Sequence, residues 1–208
     1  MFNPYAQGGW RNAGNPSSTP SRGTLPQPSI FGALPYPTLP AGAPPAAAST
    51  FISFRFSSFS PTILDSVVTG PKSRTYFRVK TDSPTVGFTA IHNSASQPVI
   101  IIEWLKHPVI EIRDILSKRQ TSQWLPISAD RSHRTMTANG KTFVWASEGQ
   151  YICLQLFSAG VGAPQPHARV LREETAIVLE ITAEAVQIGL LELCIAATLL
   201  LHSRRNID

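Results

Sequence analysis

The apolar run near the C-terminus, AVQIGLLELCIAATLLL over residues 185–201, constrains the fold of this chain most strongly. Thirteen of its seventeen residues are apolar, and the exceptions are Gln187, Gly189, Glu192 and Thr198. A helix without a clean polar stripe cannot lie on a protein surface. Such a helix is either buried in protein or inserted in lipid.

The residues in and around this run favour burial in protein. Thr182 is a suitable N-cap and Glu184 suits the first turn, which predicts a helix over residues 183–203. Seventeen residues is the lower limit for a membrane span, and Glu192 near the centre would cost roughly 2.5–3.5 kcal/mol in a bilayer. No Trp or Tyr marks either boundary. A tail-anchored membrane protein with a cytosolic β-domain remains the alternative.

Residues 1–50 have a composition that cannot build a core. They hold ten of the eighteen prolines, and their only charged side chains are Arg11 and Arg22. Such a segment buries too little apolar surface to offset its ordering entropy. We therefore predict a disordered Pro/Gly/Ser-rich arm, which could bind a protein partner through local polyproline II structure. The N-terminus does not show the pattern of a secretory signal.

From residue 51 onward the chain consists of short β-branched and aromatic runs separated by turn residues. These runs predict strands near 51–57, 62–68, 74–80, 86–92, 98–104, 108–113, 121–126, 133–138, 141–147, 151–157, 167–172 and 176–182. Asn139-Gly140 predicts a type I′ hairpin, because both of its central residues must take positive φ. A sheet that buries a helix on all sides needs about twelve strands, so we predict a barrel domain over residues 51–205.

Six segments carry a resemblance to a known family: GPKSRTYFRVKTD (70–82), TAIHNS (89–94), IIEW (101–104), SKRQTSQWLPIS (117–128), RTMTANGKTFVWA (134–146) and LEITAEAVQIGLLELCIAATLLL (179–201). The chain resembles an uncharacterised fungal family whose domain of unknown function has a tubby-like fold. Tubby, phospholipid scramblases and LURP-one-related proteins share that fold. The resemblance covers residues 60–205. It implies a mainly β protein, a tubby-like barrel of about twelve strands enclosing a hydrophobic C-terminal helix, and it transfers no activity.

One basic strand is the best candidate for a binding site. Lys72, Arg74, Tyr76, Arg78 and Lys80 share one parity, so an extended strand places them on one face. Cations beside an aromatic ring suit anionic headgroups, each charge contributing about 1 kcal/mol near an anionic leaflet. Tubby binds phosphoinositides through basic residues on its barrel, and the resemblance therefore supports this interpretation. We predict that these five residues bind anionic membrane phospholipid.

Catalytic chemistry has no recognisable signature in this sequence. It lacks the common hydrolase, metalloprotease, P-loop and dinucleotide motifs, and its five histidines are isolated. Cys153 and Cys194 lie in apolar runs without metal-ligand spacing, which predicts buried free thiols and a reducing compartment. Trp104, Trp124 and Trp145 are predicted core residues. We predict no catalytic residue, metal or cofactor, and an uncharacterised barrel enzyme is a remote alternative.

The charge distribution also bounds the partners of this chain. The net charge is +5, yet no run of five or more Lys or Arg residues occurs, so nucleic-acid binding is not expected. We predict a non-enzymatic binding or scaffolding module in the cytoplasm that associates peripherally with membranes.

Overall fold

The computed structural model describes residues 28–29, 32–35, 50–60, 62–82, 87–156 and 166–208. The chain divides into two compact units, Met1–Ala47 and Ala48–Asp208. In the first unit two short strands, β1 (Pro28–Ser29) and β2 (Gly32–Pro35), pair in antiparallel fashion. Apart from these strands and Thr50, the predicted disordered arm lies outside the described residues.

The second unit is built on one twelve-stranded antiparallel sheet, and the prediction of a mainly β protein is confirmed. Its spatial order is β10-β11-β12-β13-β14-β3-β4-β5-β6-β7-β8-β9, so β10 and β9 are the edge strands. The strands are β3 (Phe51–Ser57), β4 (Ser66–Thr69), β5 (Thr75–Thr81), β6 (Phe88–Asn93), β7 (Pro98–Glu103), β8 (Val109–Ile112), β9 (Leu116–Gln120), β10 (His133–Ala138), β11 (Lys141–Glu148), β12 (Tyr151–Leu156), β13 (Ala168–Arg172) and β14 (Ile177–Thr182).

One predicted strand, residues 121–126, is wrong. Thr121–Trp124 form a short helix, α1, in which the Leu125 N–H donates to the Thr121 carbonyl over 2.7 Å. Thr121, Trp124 and Leu125 are all buried, and their i, i+3, i+4 spacing is helical rather than extended. The twelfth strand is instead β9, which has only Leu116 buried and four exposed polar residues.

The predicted continuous helix over residues 183–203 is also wrong, because the segment forms two helices. These are α2 (Ala183–Gln187) and α3 (Leu191–His202). Between them Gly189 adopts φ +79°. Its N–H donates to the Val186 carbonyl, and the Leu190 N–H donates to the Ala185 carbonyl, each over 3.0 Å. This pair of bonds is a Schellman motif, which ends a helix at a left-handed glycine.

The predicted start of this helical segment is confirmed. Thr182 is the N-cap of α2, and its side-chain oxygen accepts a hydrogen bond from the Ala185 N–H over 3.1 Å. Glu184 lies in the first turn of α2. The carboxylate therefore faces the positive end of the helix dipole, as the sequence predicts.

Helix α3 is buried along most of its length. All eight residues from Leu193 to Leu200 are at most 4% exposed. Its one buried hydroxyl, on Thr198, donates to the Cys194 carbonyl over 2.7 Å, so burial does not leave this hydroxyl unsatisfied. These side chains belong to the same hydrophobic core as the inward residues of the strands. Among the described residues, no helix combines the length and hydrophobicity needed to cross a bilayer.

Several local predictions are confirmed. Strands β10 and β11 form the predicted hairpin, with φ +51° at Asn139 and φ +72° at Gly140. Cys153 and Cys194 are free and buried. The three tryptophans of the β-domain, Trp104, Trp124 and Trp145, are all buried in the core.

The antiparallel order gives the sheet two distinct ends. The α1 end carries the final residues of β3, β5, β7 and β9 together with the first residues of β4, β6, β8 and β10. The α2 end carries the Asn139-Gly140 turn, where the Asn139 side-chain amide donates to the Ile188 carbonyl over 2.7 Å. These two names are used below for all positions along the strands.

At the α1 end, hydrogen bonds hold the chain between the two edge strands to the residue before β8 and to β10. The Thr121 N–H donates to the Pro108 carbonyl over 2.9 Å, and the Thr135 N–H donates to the Pro126 carbonyl over 3.0 Å. Arg134 holds the Asp208 carboxylate through two hydrogen bonds of 2.7 Å. The same arrangement holds the pKa of Asp208 below its usual value, chiefly because the carboxylate accepts hydrogen bonds from Arg134.

Truncation of a leucine in α3 should lower the stability of the domain far more than truncation of a surface leucine. Leu199 is completely buried, whereas Leu105 is 56% exposed. We expect Leu199→Ala to lower the free energy of unfolding by about 2–5 kcal/mol. The matched change Leu105→Ala should stay within about 0.5 kcal/mol of the parent protein. Urea denaturation measures both values, and similar losses would contradict the burial of α3.

The Arg134–Asp208 ion pair should make stability depend on pH. The pKa of Asp208 is lower in the folded protein than in the unfolded chain. Its contribution to the free energy of unfolding is therefore fully present at pH values above the pKa that Asp208 has when unfolded. That contribution is lost as the pH falls through the folded pKa. Asp208 is 45% exposed, so solvent screening keeps the effect of Asp208→Asn at pH 7 to about 0.5–1 kcal/mol. The difference between the two proteins should vanish in acid, and a constant difference would contradict this account.

Candidate functional site

The five residues of the predicted basic strand do not share one environment. Arg78 and Lys80 are exposed on β5, where they alternate with the buried Val79. Arg74 precedes the strand, and Lys72 lies in a 3-10 turn, Pro71–Ser73, with φ +59°. Lys72 and Arg74 are therefore at the α2 end, whereas Lys80 approaches the α1 end. The distance from Arg74 to Lys80 along an extended chain is about 20 Å.

Tyr76 departs from the predicted alternation because of a β-bulge. On β4, Val68 pairs with Phe77 and Thr69 pairs with Thr75, so Tyr76 has no partner of its own. Its half-buried ring packs edge-on against Phe54, with 5.2 Å between the ring centroids. A bulge changes the direction of the extra side chain. Tyr76 therefore belongs to the packing of the domain rather than to an exposed row with Arg78 and Lys80.

Gly70 makes this position of Tyr76 possible. A Cβ atom at residue 70 would come within 2.7 Å of the Tyr76 ring and 2.9 Å of the Phe54 ring. Both distances are too short for real contacts, so only glycine fits against the two rings. The missing side chain at Gly70 thus leaves room for the Tyr76 ring, which interrupts the row of basic residues.

Arg78 and Lys80, the basic pair, line a depression at the α1 end of the sheet. Its volume is about 310 Å³. The other lining residues come from β4, β5 and the chain that follows β3: Ser58, Ser60, Asp65, Ser66, Val67 and Val79. Within the described residues, neither member of the basic pair forms an ion pair. Both cations are available to a ligand.

The polar lining of the depression is partly engaged and partly free. An Asp65 carboxylate oxygen accepts a hydrogen bond from the Thr81 N–H over 3.0 Å, and the Ser66 hydroxyl donates to the Ile63 carbonyl over 2.7 Å. The exposed hydroxyls of Ser58 and Ser60 have no hydrogen bond to the parts of the chain that the structure describes. The depression thus offers two cations and two free hydroxyls, and the Asp65 carboxylate lies in the same lining without forming an ion pair with either cation.

Ser58 and Ser60 were not among the predicted site residues, although the sequence contains a signal for them. Ser58 and Ser60 belong to the SSFS stretch, residues 57–60, which begins with the last residue of β3. Small hydroxyl residues at a strand end often line ligand sites, because loops at the ends of a rigid sheet position such side chains. Their proximity to Arg78 depends on the pairing of β4 with both β3 and β5, which no local pattern reveals.

Other basic residues are not joined to the basic pair. Lys118 lies on β9, four strands from β5 and about 19 Å away across the sheet, and it forms an ion pair with Glu103 over 2.5 Å. Arg134 is engaged by Asp208, and Lys141 follows the Asn139-Gly140 turn at the α2 end. A single patch that includes these residues is therefore not formed.

A second cavity, of about 130 Å³, lies beside the C-terminal end of α3. His202, Arg172 and Arg204 line it together with Glu173, which pairs with Arg55 over 2.5 Å. Burial lowers the pKa of His202, and the nearby Arg172 charge lowers it further. This imidazole is consequently neutral at physiological pH, and it adds no positive charge to the surface.

The two cysteine thiols are not activated as nucleophiles. Burial raises the pKa of the Cys153 thiol to about 11, and burial raises the pKa of Cys194 as well. Both thiols stay protonated at neutral pH, and a thiol is a poor nucleophile in that form. In the described part of the chain, no group of three or more His, Cys, Asp or Glu side chains could hold a metal ion.

These features define a class: a mainly β domain in which a twelve-stranded antiparallel sheet packs on a buried C-terminal helix. The model of a family of unknown function, DUF6593, matches residues 60–207, and the chain belongs to this family. The predicted membership of a family of unknown function is thereby confirmed.

Comparisons of the chain with solved structures and with curated proteins give little similarity. Among solved structures, it is similar to the X-ray structure of a protein from Arabidopsis thaliana, with 10% sequence identity and a TM-score of 0.35. That similarity covers 72% of this chain and 93% of the other. A comparison with curated proteins finds no match.

Proposed function

We propose that this protein is a non-enzymatic intracellular binding module that recognises the phosphate groups of anionic phospholipids through the basic pair. The observation that carries the proposal is the exposed position of Arg78 and Lys80 beside one depression, with no counter-ion among the described residues. Lys72 and Arg74 lie at the α2 end, beyond the bulge at Tyr76, and add only a weaker, longer-range attraction.

Phosphate chemistry suits this arrangement. A guanidinium group donates two parallel hydrogen bonds to phosphate oxygens, and a lysine ammonium adds a point charge. The hydroxyls of Ser58 and Ser60 supply further donors of short reach. Asp65 sets the limit of the site, since its carboxylate repels an anion that enters deeply.

Neutralising the basic pair should weaken vesicle binding. Each cation contributes about 1 kcal/mol near an anionic leaflet, so Arg78→Gln/Lys80→Gln should weaken binding about 30-fold. The measurement is flotation of the full chain with phosphatidylcholine vesicles, with and without phosphoinositide. Lys72→Gln/Arg74→Gln should have a smaller effect.

The matched control is Arg113→Gln/Lys141→Gln, which removes two exposed cations at the α2 end. This variant should float as the parent protein does. Equal recovery of the parent protein with neutral and phosphoinositide vesicles would refute the proposal. Equal losses in the two double variants would reduce it to a nonspecific effect of net charge.

We also infer that the sheet closes around α3 as a barrel of the tubby-like kind, in accord with the fungal family that the sequence resembles. Burial of α3 on all its faces supports closure, as does the pairing of Ile127 with Arg134 beside the edge strand β10. In a closed barrel, the backbone N–H groups on the unpaired sides of β9 and β10 are covered, so they exchange slowly with solvent. Hydrogen exchange at β9 and β10 as fast as in surface loops would contradict closure.

A further inference from the structure

Two of the large apolar side chains exposed at the α1 end lie next to the basic pair. Phe88 is 41% exposed and Leu105 is 56% exposed, and together they are called the apolar pair. Phe88 opens β6, and Leu105 follows the last residue of β7 by two positions. Single exposed apolar side chains are common on protein surfaces, whereas adjacent ones form a patch that can bind a partner. Whether Phe88 and Leu105 are neighbours therefore decides whether they form such a patch.

The strand register places the apolar pair and Lys80 in one row. Phe88 pairs with Glu103, and the Trp104 N–H donates to the Gly87 carbonyl over 3.0 Å, which puts Leu105 diagonally across from Phe88. Lys80 pairs with Ala90, so Phe88 is also diagonal to Lys80. Diagonal neighbours on a sheet are about 7–8 Å apart. A cation and two apolar side chains therefore follow one another across β5, β6 and β7.

The charges around this row suit an anionic surface. Lys106 is exposed directly beside Leu105, and Glu103 is neutralised by its 2.5 Å ion pair with Lys118. The Arg205 guanidinium lies 4.8 Å from the centre of the Trp104 ring, behind Leu105. Asp82 is exposed and lies close to Phe88, because its N–H donates to the Phe88 carbonyl over 3.2 Å. Its carboxylate is the negative charge that opposes an anionic surface at this position.

We propose that the α1 end docks on an anionic lipid bilayer, with Phe88 and Leu105 inserted among the acyl chains while Arg78, Lys80 and Lys106 contact the headgroup phosphates. This proposal rests on the proposed function and assigns it an orientation and an apolar component. Partial insertion of apolar side chains adds burial energy to the electrostatic attraction, as in other proteins that bind at the interface. Binding then persists at salt concentrations that screen the cations.

The first experiment measures insertion directly. Phe88→Trp is mixed with vesicles of equimolar phosphatidylcholine and phosphatidylserine whose acyl chains are brominated. Bromine quenches a nearby indole, so the variant should lose more fluorescence than the parent protein, which shares Trp10 with the variant and whose Trp104, Trp124 and Trp145 are buried. Binding without additional quenching would overturn insertion and leave the proposed function intact. Absence of any binding to these vesicles would overturn both.

The second experiment measures what the apolar pair contributes. Phe88→Ser/Leu105→Ser should bind the same vesicles roughly tenfold more weakly, yet it should bind soluble inositol trisphosphate as tightly as the parent protein. The control is Ile115→Ser, which removes an apolar side chain of 46% exposure at the α2 end. An equal loss in the control, or unchanged vesicle binding by the double variant, would overturn the proposal.

A gain of binding provides a test that misfolding cannot imitate. Asp82→Asn removes the carboxylate beside Phe88 and should strengthen binding to the anionic vesicles several-fold, since one opposing charge is lost near the leaflet. Unchanged or weaker binding would contradict the placement of Asp82 against the bilayer. A dimer that forms without lipid and is lost in Phe88→Ser/Leu105→Ser would show that the apolar pair covers a second copy of the chain, which would also overturn the proposal.

Discussion

The burial of α3 is the constraint on which the rest of the domain depends. Eight consecutive residues, Leu193–Leu200, have no face that could contact water, so side chains from the sheet must cover every direction around the helix. The inward residues of the strands are accordingly apolar, and the largest of them include Phe56, Phe143 and Trp145. None of the buried residues in the described part of the chain is charged, so the charged side chains lie on the outer face and at the two ends of the sheet, where the candidate sites are.

Gly189 changes the meaning of the apolar run from which the sequence analysis began. Taken as one long helix, the run has Glu192 near its middle, where a carboxylate is hard to place. The Schellman motif at Gly189 ends α2, and α3 restarts two residues later, so Glu192 lies in the first turn of α3. There the carboxylate is half-buried and faces the positive end of the helix dipole. An interior glycine followed by leucine was the available signal, because a left-handed C-terminal cap requires that glycine.

Features with a local cause could be predicted from the sequence, whereas features set by pairing could not. The Thr182 cap and the Asn139-Gly140 turn each depend on a few adjacent residues, and both are found as expected. Strand β9 was missed because an edge strand of exposed polar residues shows no hydrophobic alternation. The bulge at Tyr76 was not predicted for a similar reason. It arises because β5 has one residue more than β4 between two paired positions, and because Gly70 leaves room for the Tyr76 ring.

The α1 end is suited to present a binding surface because its own contacts already hold it in place. The chain between the edge strands is bonded to Pro108 on one side and to Thr135 on the other, and Arg134 fixes Asp208 across it. Lys80 and Phe88 project from paired strands rather than from a free loop. A ligand that contacts them has little conformational entropy to remove, and such preorganisation lets a small contact area yield useful affinity. The bulge at Tyr76 interrupts the basic strand between Arg74 and Arg78, and the β5–β6 register places Lys80 beside Phe88, so this surface is separate from the cations at the α2 end.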